Sequence, residues 1–110
     1  VSTEPVGDTF FALADPTRRR VVSLLSARPS VTASELAREL PVSRQALAKH
    51  LNVLRDAGLA EPTRAGRETR YRLTPGPLIE AAGWMAQVGS DWDRRLARLA
   101  ELAGPPRDSR

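Results

Sequence analysis

Residues 31–58 read VTASELARELPVSRQALAKHLNVLRDAG, and the start and stop signals in this stretch decide the fold. Thr32 is placed to cap a first helix. Glu35, three residues on, completes a capping box, and Val31 and Leu36 stand as its hydrophobic staple. Pro41 stops that helix by pushing the residue before it out of the α region. Ser43 caps a second helix, with Val42 and Leu47 in the same staple relation. Gly58 supplies the left-handed residue just past its end. Two capped helices joined by a tight turn at Pro41-Val42 form a helix-turn-helix, whose second helix is the usual reader of a DNA major groove.

Towards the N-terminus, Pro5 suits a first helical turn. Val6, Phe10 and Leu13 then share a face, with Phe11 and Ala14 beside it. Large apolar groups on more than one side predict a helix that buries two sides. Asp15-Pro16 is a second start signal, and Val21, Val22, Leu24 and Leu25 are the stripe of the helix it opens. Arg18, Arg19 and Arg20 sit mainly off that stripe and are expected in surface ion pairs or bonds within the domain.

Beyond Gly58 the period changes from helical to alternating. Leu59 to Thr63 is expected as a strand, Arg64 to Arg67 as a hairpin turn and Glu68 to Leu73 as a second strand. Thr69, Tyr71 and Leu73 then face the helices, leaving Glu68, Arg70 and Arg72 towards solvent. A hairpin directly behind a reading helix is a wing. Thr74-Pro75 opens a last helix running to about Ala103, with the stripe Leu78, Ala82, Met85, Val88, Trp92, Leu96, Leu99 and Leu102; Trp84 widens it near the start. Such a helix is about 40 Å long, more than the small body before it can cover, so a second copy of the chain is the expected partner. Gly83 and Gly89 mark either a close approach of that partner or a break in the helix. Residues 5–103 are thus expected as one mainly α winged helix-turn-helix domain: a three-helix core, a two-stranded wing and a long C-terminal dimerisation helix. Residues 104–110 are expected as a disordered tail.

The 110 residues suffice for one modest core, and 41% apolar content fits a globular chain. No run approaches the roughly 18 apolar residues of a membrane span, and no basic-then-apolar leader opens the chain, so the expectation is a soluble cytoplasmic protein. The absence of cysteine excludes disulfides and thiolate metal sites. One histidine, no cysteine and no glycine-rich phosphate loop argue against an enzyme. The net charge is +4. Between Arg44 and Arg72 seven basic residues face three acidic ones, and seven minus three accounts for all of it. A basic segment centred on a helix-turn-helix predicts a polyanionic partner.

Three stretches, FFALADPTRRRVVSLL, VTASELARELPVSRQALAKHLNVLRDAGL and GRETRYRLTP, resemble the ArsR-type bacterial winged-helix repressors, in that family's order from Phe10 to about Leu102. The resemblance implies a homodimer that pairs through its first and last helices and represses by occupying an operator. Metal-sensing members carry paired cysteines in the first helix of the helix-turn-helix, where this chain has Ala37 and Glu39. Others bind metal through histidines on the last helix, which here has none. Asp91, Asp93 and Glu101 alone make a poor zinc or copper site. No metal and no other cofactor is expected. The segment WMAQVGSDWDRRLARL resembles the branch with tryptophans in the last helix and no known metal ligands.

With Leu47, Leu51 and Leu54 turned inward, the second helix leaves Arg44, Gln45, Ala48, Lys49 and Asn52 outward. Together with Ser43 they are the candidate contacts to duplex DNA. Arginine can bind guanine and glutamine adenine in bidentate fashion, and an alanine methyl can meet thymine. Arg64, Arg67 and Arg70 of the wing are candidate contacts too, with phosphate the favoured target for Arg64 and Arg67. For His50 two readings stand: a donor to DNA, or a half-buried residue bonded within the domain. Phe10, Phe11, Trp84, Met85, Val88, Trp92, Leu96 and Leu99 are the candidate dimer interface. The tryptophans read as packing rather than an effector cavity, and a small-molecule effector is left unassigned. The alternative is a winged helix used for protein–protein or RNA contact, which would want an apolar patch on the outward face.

Overall fold

A computed structural model describes residues 4–104; the expected tail lies, apart from Gly104, outside them. The elements are α1 (Pro5–Leu13), α2 (Pro16–Ala27), β1 (Val31–Thr32), α3 (Ala33–Glu39), α4 (Arg44–Asp56), β2 (Ala60–Ala65), β3 (Glu68–Leu73) and α5 (Gly76–Leu102).

Local chemistry sets the helix ends. Asp15 accepts from the Arg18 N–H at 3.1 Å and starts α2. Thr32 Oγ1 accepts from Glu35 N at 3.0 Å while Glu35 Oε1 accepts from Thr32 N at 2.8 Å, so both halves of the capping box are present. The staple residues Val31 and Leu36 are fully buried. Ser43 Oγ accepts from Ala46 N at 3.0 Å and opens α4. At the other end Leu59 N donates to Leu54 O and Gly58 N to Arg55 O, each at 2.9 Å, with Gly58 at φ 77°. This is a Schellman motif, and its hydrophobic partners Leu54 and Leu59 are both fully buried.

The core joins Ala12, Val21, Leu25, Leu36, Leu47, Leu51 and Leu54 with Leu59 and the sheet residues Val31 and Ala60. Three details differ from expectation. The wing sheet has three antiparallel strands, not two, in the order β1-β3-β2. Val31 pairs with Tyr71 and Thr32 with Arg70, so the staple and cap residues of α3 also form a strand. The wing is longer than read, because Ala65 pairs with Glu68 and leaves only Gly66 and Arg67 as the turn. Gly66 has φ 65° and Arg67 does not have a positive φ, the pattern of a type II′ hairpin turn. In α1, Thr9 and Ala12 take the buried positions, with Thr9 Oγ1 donating to Pro5 O at 3.1 Å. Small side chains let α1 lie close on the core; Val6 and Leu13 are half-buried and the phenylalanines are left outside.

Helix α5 runs unbroken for 27 residues through Gly83 and Gly89, so the break reading falls. Within the protomer nothing lies within 4 Å of a side chain at either glycine. Ala81 is its one buried residue among those described, and Leu78 is half-buried. No helix among the described residues is long and apolar enough to cross a membrane.

Candidate nucleic-acid interface

Helix α4 is seated by Leu47, Leu51 and Leu54, each at most 3% exposed. That seat turns Arg44, Gln45, Ala48, Lys49 and Asn52 to solvent together, one continuous strip from the helix N-terminus inward. The positive end of the helix dipole lies at the Arg44 end and favours phosphate there. Ser43 Oγ accepts the capping bond, and its hydroxyl hydrogen is still free to donate.

Ion pairing sorts the cations of the basic segment. Its three carboxylates each hold an arginine of the same segment: Arg55 to Asp56 at 3.4 Å, Arg72 to Glu61 at 2.9 Å and Arg70 to Glu68 at 3.6 Å. Four of the seven cations are left over, Arg44, Lys49, Arg64 and Arg67, and among the described residues none of them makes an ion pair. They occupy the outward strip of α4 and the tip of the wing, and together they equal the net charge of the chain. Outside the segment, Arg18, Arg19, Arg20, Arg38, Arg95 and Arg98 make no ion pair among the described residues either, but Arg18 and Arg19 bond backbone carbonyls, Arg20 and Arg38 act on Glu39, and Arg95 lies over the Trp92 ring.

Arg70 and His50 are tied down instead. Arg70 Nε donates to Ser30 Oγ at 2.8 Å, and its guanidinium reaches Glu35 at 4.0 Å. The guanidinium groups expected on the solvent side of β3 are there but engaged: Arg70, half-buried, folds back on α3, and Arg72, exposed, crosses to its strand partner Glu61. His50 Nδ1 lies 3.2 Å from Arg18 Nη1, and Nε2 lies 3.9 Å from Asp15, which puts it on the inward flank of α4. Arg18 and Arg19 bond backbone carbonyls within the domain, as expected of them. Sequence reading did not find the Ser30–Arg70 and Arg18–His50 pairings, whose partners are 40 and 32 residues apart.

Three carboxylates near the ends of α2 and α3 are held in the charged form by the bonds they accept. Asp15 is held below its ordinary pKa first by the Arg18 backbone N–H. Glu35 is held low by the Thr32 N–H and hydroxyl. Glu39 is held low by the Arg28 fork, whose Nη2 donates to it at 2.7 Å. The Glu39 carboxylate is thereby occupied by that arginine.

A family model described as a helix-turn-helix domain matches residues 13–63. The chain is 42% identical over 91 residues to the HTH-type transcriptional regulator Rv2034 of Mycobacterium tuberculosis, covering 83% of this chain and 81% of that one. Its fold superposes on an ArsR-like transcriptional regulator from Rhodococcus sp. RHA1 with a TM-score of 0.80 and 43% identity, covering 90% and 92% of the two chains. The chain belongs to the ArsR family of helix-turn-helix transcriptional regulators. As an ArsR-family protein it is a DNA-binding regulator and not an enzyme. Another relative, the transcriptional repressor SdpR of Bacillus subtilis, is 31% identical over 83% of this chain and all of its own length.

Proposed function

We propose that this ArsR-family chain acts as a homodimeric repressor that occupies an inverted-repeat operator, reading bases with the N-terminal half of α4 and gripping phosphates with the wing tip. The observation that carries this reading is the set of four cations left unpaired on α4 and the wing tip. A cation kept free of available carboxylates on an exposed polar face is matched to an anionic partner; a protein-binding face would be apolar there. Arg44 and Gln45 are the base readers, Ala48 and Asn52 extend the strip, and Ser43, Lys49, Arg64 and Arg67 meet phosphate and sugar. Arg70 and His50, both bonded within the protomer, support this surface from behind.

The dimer reading rests on α1 and α5. Phe10, Phe11, Trp84, Met85, Val88, Trp92, Leu96 and Leu99 are all exposed in the protomer, Phe11 at 67% and Trp92 at 54%. Phe10 meets Trp84 edge-on at 5.7 Å, joining the two helices into one apolar surface. A contiguous apolar surface of this extent on a small protomer marks an interface. A two-fold pair of reading helices requires two half-sites about one helical turn, roughly 34 Å, apart. Control of this repressor does not pass through the cysteine site of the metal sensors, since the chain has no cysteine.

Selection of bound sequences from random duplex DNA tests the reading. Arg44→Ala and Gln45→Ala should each relax particular base positions, about 1–3 kcal/mol of discrimination apiece. Arg67→Ala should weaken all sequences alike. Uniform weakening by all three would mean that other residues read the bases, and enrichment of single, unpaired half-sites would remove the dimer.

A further inference from the structure

Arg18 joins three elements that the proposed function uses separately. Its Nε donates to Ala12 O at 2.7 Å and its Nη2 to Phe11 O at 3.2 Å, at the C-terminal end of α1, where helical acceptors run out of donors. The same guanidinium lies 5.6 Å from the centre of the Phe11 ring. Its backbone N–H donates to Asp15, the cap of α2. Its Nη1 reaches His50 Nδ1 at 3.2 Å, on the inward flank of α4. Both side chains are half-buried. A guanidinium has no acceptor, so Nδ1 must accept, and the proton of the neutral ring sits on Nε2, towards Asp15.

Helix α1 also carries Phe10 and Phe11 into the proposed dimer seam, with Phe10 against Trp84 of α5. One planar group thus connects the end of the seam helix with the middle of the reading helix. Three acceptors from two helices suit the rigid fork of arginine, which a lysine ammonium cannot reproduce.

We propose that Arg18 is a positioning residue for DNA reading: it fixes α4 relative to α1 and so sets the spacing of the two reading helices in the dimer, a role that rests on the dimeric DNA-binding reading above. Both reading helices must meet the major groove in register. A shift of α4 on its seat therefore costs specific binding while leaving the wing-tip cations Arg64 and Arg67 in place.

The test compares the full chain with Arg18→Lys, His50→Ala, His50→Gln and the double variant Arg18→Lys/His50→Ala. The probes are the tightest duplex recovered by the selection and a scrambled duplex of the same length. Arg18→Lys and His50→Ala should each weaken the selected duplex about tenfold, with the scrambled duplex and the dimer dissociation constant unchanged within about twofold. The double variant should lose no more than the worse single one, and His50→Gln, which keeps an acceptor, should recover most of the loss. In Arg18→Gln, which removes the charge, the salt dependence should stay as in the native chain, whereas a direct phosphate contact by Arg18 would make it shallower. Long-range proton–nitrogen spectra without DNA should show His50 in the Nε2–H tautomer natively and as a tautomer mixture in Arg18→Lys. Additive losses, equal losses on both duplexes, a shallower salt dependence or an unmoved His50 tautomer would each overturn the proposal. If selection enriches no duplex at all, it is the DNA reading that fails, and the DNA-free His50 spectrum still decides the contact.

Discussion

Helices α4 and α5 are both amphipathic, and they do opposite things with their apolar faces. Helix α4 buries Leu47, Leu51 and Leu54 within the protomer and shows a polar, cationic strip. Helix α5 buries Ala81 and half-buries Leu78, then shows Trp84, Met85, Val88, Trp92, Leu96 and Leu99. The apolar side of α4 is satisfied, so its remaining affinity is electrostatic and directional. The apolar side of α5 is not satisfied, so its remaining affinity is hydrophobic. The first suits a polyanion and the second a like surface, the two partners proposed above.

The largest expected effect separates the two helices by stability. Leu54→Ala should destabilise the fold by about 2–5 kcal/mol, because it opens a cavity at a fully buried position. Leu99→Ala, at 56% exposure, should change protomer stability by less than about 0.5 kcal/mol. Urea unfolding at protein concentrations below dimer dissociation measures both, and equal losses would erase the contrast. Next in size is assembly. Trp92→Ala should raise the dimer dissociation constant by about 2 kcal/mol, roughly thirtyfold, as removal of a central aromatic does. Sedimentation over a dilution series reads it, and an unchanged constant would move the seam elsewhere.

A smaller effect concerns the carboxylates at the ends of α2 and α3. Asp15, Glu35 and Glu39 all have folded pKa values below their ordinary values of 3.8, 4.5 and 4.5. A depressed carboxylate stabilises the fold at pH above its unfolded value, and that contribution is lost as pH falls through the folded one. Urea midpoints should therefore hold steady at neutral pH and fall below about pH 4.5. Glu35→Gln, which can still accept from the Thr32 N–H, should flatten part of that fall; an identical acid profile would exclude Glu35 from it.

Much of this division between α4 and α5 was legible in the chain. Thr32 with Glu35, Ser43 and Gly58 signal helix ends through residues at most three apart, and the structure places each end where those signals put it. The stripe of α5 was readable because it repeats over 27 residues. What escaped depends on contacts between distant positions. Strand β1 is two residues long, too short for alternation to show, and it exists because β3 arrives some 40 residues later. Arg70 counted as an exposed cation until Ser30 and Glu35 were seen to hold it. In α1, residue size misled: Thr9 and Ala12 lie inward because they fit, and the phenylalanines are left exposed.

The central claim is that the four unpaired cations of each protomer, doubled by the dimer, hold the operator, and its most direct test is the salt dependence of binding to the selected duplex. With Arg44 reading bases, Lys49, Arg64 and Arg67 make six cationic phosphate contacts per dimer and predict that log affinity falls with log salt at a slope of about −5. Removing Arg64 and Arg67 together, four cations per dimer, should bring it to about −2. A native slope of only about −3 would mean that one protomer binds alone, and a slope near zero would mean that these cations do not hold the DNA.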